Sequence, residues 1–315
     1  MSRPEPTDAR VLDAAQTAPR LPYPELAREL HRLLLDDTVQ VPARLVQALP
    51  GGGSLFVMPA LDSRLAITKL ITFTPANAGT ARATIQGDVV VFDVASGERR
   101  LLLDGPTVTA RRTAAVSLLA AQRLAPNPHG PLLIVGAGVQ GRAHLEAFAV
   151  GLGVKEFVIA SRSAASAHAL ASHATALGLN ASVTPDPNAA LTDCPLVVTC
   201  TPASVVVLHA LPRDDAFVAA VGAFTPAMAE LDAALCRHFA AQGTIVVDTA
   251  DAAHEAGDLL QAGLDVAAFA TLRGVLQRAP DKPGATRGPV LFKSCGWAGW
   301  DLAAARLAAR QRSGE

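Results

Sequence analysis

The run Leu132-Leu133-Ile134-Val135-Gly136-Ala137-Gly138-Val139-Gln140-Gly141 constrains this chain more than any other stretch. An apolar strand runs directly into Gly-x-Gly-x-x-Gly, and an Ala-rich helical pattern follows from Arg142 to Val150. In that strand–turn–helix setting each glycine has a physical task. Gly136 permits the tight turn, Gly138 lets backbone approach a pyrophosphate, and Gly141 lets the helix pack closely on the strand. The start of the helix, at Val139 and Gln140, offers unpaired N–H groups and a positive dipole end to phosphates. A second apolar strand, Phe157-Val158-Ile159-Ala160, completes a βαβ unit. The glycine triplet alone marks only a turn; with a strand on each side of its helix it marks a dinucleotide site.

The residues just after the second strand bear on which dinucleotide is bound. An acidic residue there accepts from the ribose 2′-hydroxyl of NAD(H). This chain has Ser161-Arg162-Ser163 instead. A guanidinium and two hydroxyls suit a 2′-phosphate, because Arg presents a planar fork of donors that matches phosphate geometry. NADPH is therefore the expected cofactor, with NADH as the other possibility. In the competing reading Arg162 is only a solvated loop residue.

The chain has 315 residues, enough for two domains. Half of them are apolar and 17% are charged, so a large core is available. A net charge of −1 gives no footprint for nucleic acid or an anionic membrane surface. No basic-plus-apolar leader opens the sequence, which leads to a cytoplasmic expectation. The long uncharged stretch from Cys194 to Pro212 carries Pro195, Pro202 and several hydroxyls. It is read as two buried strands joined by a turn rather than a membrane span. Cys194, Cys200, Cys236 and Cys295 lack Cys-x-x-Cys spacing and read as reduced core thiols, with no metal site.

Residues 1–20 show no clear period and read as a loose start. Pro24 to Leu35 reads as a helix with Leu26, Leu30, Leu33 and Leu34 on one face. Strand patterns run from Gly53 to Leu103, including a hairpin of Val89–Phe92 and Leu101–Leu103 around Ser96-Gly97-Glu98. A helix is expected from Thr107 to Leu124, then a breaker cluster at Pro126–Gly130. Beyond it, strands are expected at 132–135, 156–160, 181–184, 196–200, 217–221 and 244–248. Helices are expected near 142–151, 163–177 and 254–262. A last helix, Trp300 to Arg310, comes after a Gly/Pro-rich stretch at 280–289. This alternation predicts a Rossmann-type, doubly wound parallel α/β sheet at 126–297. A smaller α+β domain for substrate binding and dimerisation is expected from 1–125 plus 298–315.

Three cations in the first part stand in distinctive surroundings. Arg44 follows Val41-Pro42-Ala43, Arg112 lies in Thr109–Ala115, and Lys69 lies in the apolar run Ala66-Ile67-Thr68-Lys69-Leu70-Ile71. Burying an unpaired charge is costly. Lys69 therefore either snorkels to solvent from a strand edge or awaits an anion, and the composition does not decide between them.

Several linked motifs give the chain a resemblance to the ornithine cyclodeaminase/mu-crystallin family. They are Lys69-Leu-Ile-Thr-Phe-Thr-Pro-Ala-Asn77, Thr84-Ile-Gln-Gly87 with Phe92-Asp93 and Ser96-Gly97, and Arg112-Thr-Ala-Ala115. To these are added the glycine loop through His144, and Lys293-Ser294-Cys-Gly296 followed by Trp300-Asp301-Leu302-Ala303. The resemblance implies that Arg44, Lys69 and Arg112 clamp a substrate α-carboxylate. It implies that Arg112 and Thr84 lie near the cofactor, with Thr201 on its adenosine or pyrophosphate side. Val221, Gly222 and Ser294 would flank the nicotinamide. His144 is read as a structural helix residue rather than a catalytic one. The resemblance further implies a homodimer.

One departure bears on the reaction. The cyclodeaminase branch carries Asp two residues before a Pro and Lys two residues after it. Here those positions are Phe224 and Met228, around Pro226. A phenyl ring transfers no proton, so an ammonia-eliminating cycle loses its acid/base. The resemblance then implies an NAD(P)H-dependent ketimine reductase of Δ1-pyrroline-2-carboxylate or Δ1-piperideine-2-carboxylate, giving L-proline or L-pipecolate. In that reaction orientation does the catalytic work and Phe224 walls the ring. The alternatives are an alanine dehydrogenase-like enzyme and a non-catalytic, mu-crystallin-like binder of NADPH and a small carboxylate.

Overall fold

The computed structural model describes residues 9–77, 80–202, 205–278 and 288–310. The chain divides into two compact units, residues 1–112 with 297–315, and residues 113–296.

The first unit is built on a six-stranded sheet. Its strands are β1 (Arg10–Leu12), β2 (Leu45–Leu49), β3 (Gly53–Leu61), β4 (Leu65–Phe73), β5 (Ile85–Asp93) and β6 (Arg99–Asp104). They lie in the order β1-β6-β5-β4-β3-β2, antiparallel from β2 to β6, with β1 parallel to β6. Side chains alternate between faces along each strand. Met58, Ala60, Ile67, Lys69, Ile71, Val89, Val91, Leu101 and Leu103 therefore share the buried face. The helix Ala298–Arg310 packs on β3 and β4 and on the helix Tyr23–Leu34. Arg306 ties this C-terminal helix to Asp62 and to Asp36 (2.6 Å), and Arg310 ties it to Glu29. The opposite sheet face leaves Leu45, Leu70 and Phe92 exposed.

The second unit is an eight-stranded, wholly parallel sheet. Its strands are β7 (Leu132–Val135), β8 (Glu156–Ala160), β9 (Asn180–Thr184), β10 (Leu196–Thr199), β11 (Phe217–Ala220), β12 (Thr244–Val247), β13 (Ala270–Thr271) and β14 (Val290–Lys293). The order is β13-β12-β14-β11-β10-β7-β8-β9. From β7 the chain winds outward through β8 and β9, then returns to add β10 and β11 on β7's other side. That reversal creates a crevice at the carboxyl ends of β7 and β10, the place where doubly wound sheets bind ligands. β7, β10, β11 and β14 are buried at every residue, as continuous apolar strands covered on both faces must be.

The structure departs from the sequence expectations at several points. The part of residues 1–20 that is described is ordered: β1 pairs with β6, and Asp13 and Gln16 form a reciprocal capping box on the helix Ala14–Thr17. Among its described residues Cys194–Pro212 holds one strand, β10, not two; beyond it Leu208 makes a single bridge with Leu231 and Val205 stays exposed. The helix expected at 254–262 breaks at Ala256 into Ala252–Glu255 and Gly257–Gln261. The Thr225 and Met228 carbonyls press so close to Gly257 that a Cβ there would lie 2.0 Å from Met228 O. The central strand β14 and the short β13 had no expectation. The Gly/Pro-rich stretch at 280–289 lies outside the described residues except for Gly288 and Pro289.

Candidate active site

The dinucleotide loop has the geometry that its glycines foretell. Gly136 sits at φ +118°, and a Cβ there would lie 2.7 Å from the Cys200 carbonyl oxygen. Its N–H donates to Ala160 O (2.8 Å), fastening the turn to the end of β8. A Cβ on Gly141 would lie 2.1 Å from Gly136 O, so only glycine lets the helix Val139–Leu152 start this near the strand. Gly138 is the N-cap, with no side-chain cap bond and open space around it. The first-turn N–H groups at Val139, Gln140 and Gly141 have no partner inside the helix. Val139 is 72% exposed. An apolar side chain held outside at an uncapped helix start fits a surface that a ligand covers, and the cradle fits a pyrophosphate.

Beyond β8, Ser163 caps the helix Ala164–Ala176 by accepting from Ser166 N, and Ser161 Oγ accepts from Ser163 N. Arg162 is exposed and, among the described residues, pairs with nothing. The hydroxyls shape the turn while the guanidinium stands out from it.

At the carboxyl ends of β10, β11, β12 and β14 lies a network of buried charge that the sequence reading missed. Glu230, fully buried, accepts from Thr199 Oγ1 (3.0 Å), Thr201 N (2.7 Å), Thr201 Oγ1 (2.9 Å) and Gly222 N (2.6 Å). Burial pushes its carboxyl up against the pull of Lys293. A Cβ on Gly222 would lie 2.2 Å from Thr201 O and 2.5 Å from Glu230 Oε1, so glycine is the residue that lets these segments meet. Lys293 donates to Ala223 O (2.7 Å) and pairs with Asp258 (2.7 Å). Burial is the largest influence and acts to lower Lys293, but Asp258, Cys295 and Glu230 together outweigh it and hold the ammonium above its usual range. Asp258 in turn accepts from Glu230 N and Leu231 N. Asp248, at the end of β12, accepts from Ser294 Oγ (2.8 Å), Cys295 N and Gly296 N. Thr201, Gly222 and Ser294 are thus held in place by carboxylates behind them, and Val221 N donates to Thr199 O (2.9 Å). The available signal was an acidic residue directly after a buried strand, as in Val246-Val247-Asp248.

The first unit gathers the expected cations. Lys69 lies on β4, a central strand flanked by Met58 and Val89, and is 1% exposed. It does not snorkel. Its ammonium pairs with Asp301 Oδ2 at 2.8 Å, and Arg112 Nε reaches Asp301 Oδ1 at 3.2 Å. Arg112 stands on the helix Gly105–Leu124 and is 6% exposed. Among the described residues it pairs only through Nε, leaving both terminal amino groups for another acceptor. Burial, Arg112 and Arg44 lower Lys69 to about 8 despite the opposing pull of Asp301, so Arg44 acts on the same ammonium. Arg44, just before β2, is half-buried. The neighbouring Arg111 turns elsewhere, to Leu21 O and over the Tyr23 ring. Thr84 is half-buried ahead of β5, and its carbonyl accepts from Thr74 N.

Two further residues have structural surroundings. His144 is fully buried, hydrogen-bonded to Gln140 O (2.8 Å) and Ser117 Oγ (3.0 Å), and burial lowers it to about 4. It is a neutral helix-packing residue. Phe224 is half-buried and packs against the apolar cluster beneath β10 and β11. All four cysteines are free thiols. Among the described residues no group of His, Cys, Asp or Glu is placed to hold a metal, and no helix is long and apolar enough to cross a membrane.

Known proteins are similar to this chain in sequence and in fold. A Δ1-pyrroline-2-carboxylate reductase of Burkholderia multivorans is 40% identical over 306 residues, spanning 95% of this chain and 94% of that protein. The Δ1-pyrroline-2-carboxylate/Δ1-piperideine-2-carboxylate reductase of Azospirillum brasilense is 40% identical over 303 residues, 95% of this chain and 94% of its own. The ketimine reductase mu-crystallin of Mus musculus is 36% identical over 277 residues, 86% and 85% of the two chains. Among solved structures, the Thermococcus litoralis Δ1-pyrroline-2-carboxylate reductase in complex with NADH and L-proline superposes with a TM-score of 0.87. It covers 96% of each chain at 22% identity, a likeness of fold. The profile of the ornithine cyclodeaminase/mu-crystallin family matches residues 24–314, and the chain belongs to that family.

Proposed function

We propose that this chain is an NAD(P)H-dependent reductase of cyclic α-imino acids, taking Δ1-pyrroline-2-carboxylate or Δ1-piperideine-2-carboxylate to L-proline or L-pipecolate. The relatives that it matches over nearly their whole length carry that activity in their names. The observation that carries the reading is the cation cluster. Arg112 is buried with one N–H on Asp301 and its outer edge unclaimed among the described residues, beside the buried ammonium of Lys69, on which Arg44 also acts. A guanidinium in that state binds a carboxylate through two parallel hydrogen bonds and fixes its plane.

Bound reduced nicotinamide supplies the hydride. The glycine loop and the first turn at Val139, Gln140 and Gly141 hold the pyrophosphate, and Thr84, Arg112, Thr201, Val221, Gly222 and Ser294 complete the cofactor's contacts. Arg44, Lys69 and Arg112 hold the acid group of the imine. Hydride transfer requires the C=N carbon about 3–3.5 Å from the donor carbon. A clamp at one end of a small rigid ring sets both that distance and the face presented, and hence product chirality. Phe224 offers an apolar surface to an unsubstituted ring and no acid/base group, which disfavours ornithine cyclisation. A cyclic iminium enters already protonated, so no side-chain base is assigned.

NADPH is the proposed preferred cofactor, with Arg162 on the 2′-phosphate beside Ser161 and Ser163, and NADH is a weaker one. The substrate-binding and dimerisation part is assigned to 1–125 with 298–315 and the dinucleotide part to 126–297. A homodimer is supported by the apolar sheet face of the first unit, where Leu45, Leu70 and Phe92 stand exposed. Four free thiols suit a reducing, cytoplasmic setting.

Following NADPH absorbance with each cyclic imine tests the proposal. Decay with either ring size supports it. Tight NADPH binding without decay with either would mean a non-catalytic binder. Turnover of pyruvate with ammonia exceeding that of both rings would mean an alanine dehydrogenase-like enzyme.

A further inference from the structure

We propose that Asp301 is the positioning residue of the carboxylate clamp: it keeps Lys69 charged and turns the outer edge of Arg112 toward the substrate's acid group. This rests on the reductase reading above. Asp301 is fully buried on the helix Ala298–Arg310, whose seat is fixed by the ion pairs of Arg306 with Asp62 and Asp36. Each of its oxygens takes a different cation, Oδ2 with Lys69 Nζ at 2.8 Å and Oδ1 with Arg112 Nε at 3.2 Å.

Three cations brought together without an anion repel one another, and burial adds to the cost of each charge. The groups acting on Lys69 come from each side. Asp301 approaches from the C-terminal helix, Arg112 from the helix Gly105–Leu124 and Arg44 from the segment before β2. Its register neighbours on β3 and β5 are the uncharged Met58 and Val89. Asp301 is the one carboxylate among them. Two cations, Lys69 and Arg112, share the one carboxylate of Asp301 and leave a positive surplus, so the pair is held together yet still attracts a second carboxylate.

The contact through Nε has a directional consequence. A guanidinium has five donors in one plane. Anchoring Nε leaves the two terminal amino groups as a pair, the edge that matches a carboxylate bidentately. The Lys69 ammonium is likewise held in place by its ion pair with Asp301. The substrate's acid group thereby meets donors whose direction is set before it arrives, which lowers the ordering cost of binding.

The test is Asp301→Asn in the full-length protein, with Asp301→Glu as the conservative rescue. Asn keeps the size and removes the charge. The expected result is a KM for the cyclic imine raised by about tenfold or more. The alkaline limb of kcat/KM should move down by about one pH unit or more, because Lys69 loses the group that favours its charged form. NADPH affinity should fall by less than imine affinity, since only the Arg112 contact is disturbed and the helix start that holds the pyrophosphate is untouched. Asp301→Glu should return the alkaline limb toward that of the wild type. An Asn variant with unchanged imine KM and an unchanged limb overturns the proposal. Where the Asn variant does not fold, Lys69→Arg decides: a non-titrating cation should abolish the alkaline limb, and a limb left in place overturns the proposal. L-Proline binding in the presence of NADP⁺ separates this inference from the reading beneath it. A wild type that reduces neither imine refutes the reductase. L-Proline bound by the wild type and lost in Asp301→Asn still supports the clamp, and equal binding by both overturns it.

Discussion

Two carboxylates, Asp301 in the first unit and Glu230 in the second, are both fully buried, yet their surroundings are opposites. Glu230 is closed. Its oxygens accept from two hydroxyls and two backbone N–H groups, and its neighbours Asp258 and Lys293 satisfy each other. Asp301 is open. The cations around it outnumber it, and Arg112 keeps an edge with no protein acceptor among the described residues. A closed cluster shapes backbone, and an open one is unfinished until a ligand arrives. Buried charge alone therefore does not mark a binding site; the mark is a surplus of donors over acceptors. Structural ion-pair networks perturb ionisation as strongly as functional ones do.

The largest effect should come from removing the open edge. Arg112→Ala is expected to lower kcat/KM for the cyclic imine by about a hundredfold or more, because the acid group loses its bidentate partner and its orientation. Steady-state kinetics on both rings measures this, and activity within a few-fold of wild type would break the contrast between the two clusters.

The closed cluster should answer in stability instead. Glu230→Ala strands the N–H groups of Thr201 and Gly222 and the two hydroxyls, and should cost about 3 kcal/mol in denaturant unfolding. NADPH affinity should weaken with it, while L-proline recognition by the clamp should not depend on it. A neutral effect on both stability and NADPH binding would show that Glu230 is not the support of those segments.

The pH response sharpens the same difference. Lys69 is lowered from 10.5 to about 8. Above pH 8 the folded protein has released a proton that the unfolded chain holds until about 10.5. Between those values this group's contribution to stability therefore rises with pH. Substrate affinity runs the other way, because the ammonium that binds the carboxylate is lost. The KM for the imine should climb through pH 8–9 while thermal stability does not fall on account of Lys69. A flat KM across that range would contradict the assignment.

The smallest expected effect lies at the rim of the nucleotide site. Arg162→Asp should lower the ratio of NADPH to NADH efficiency by about tenfold, since a carboxylate repels the 2′-phosphate and accepts from a 2′-hydroxyl. An unchanged ratio would return Arg162 to the role of a solvated residue.

Sequence patterns disclose local demands and hide distant partners. The parallel strands were legible because a strand buried on both faces must be a continuous apolar run, as in Leu132–Val135 and Phe217–Ala220. The glycine loop was legible because three spacings coincide with three steric demands, and the φ of Gly136 and the clash at Gly141 bear that out. The central strand β14 escaped because its four residues end in Lys293, a charge that Asp258 and the Ala223 carbonyl make tolerable. Periodicity carries no information about partners so far away in sequence. For the same reason Lys69 was left open between snorkelling and burial, since its partner Asp301 lies at the other end of the chain. The break at Ala256 was hidden because the backbone that presses on Gly257 comes from residues 225–228.

The most direct test of the clamp is a crystal structure of the protein with NADP⁺ and L-proline. The acid group of proline should lie against the outer edge of the Arg112 guanidinium and the Lys69 ammonium, with Arg44 on the same anion and Asp301 behind them. Proline bound with its acid group turned away from all three cations would contradict the account.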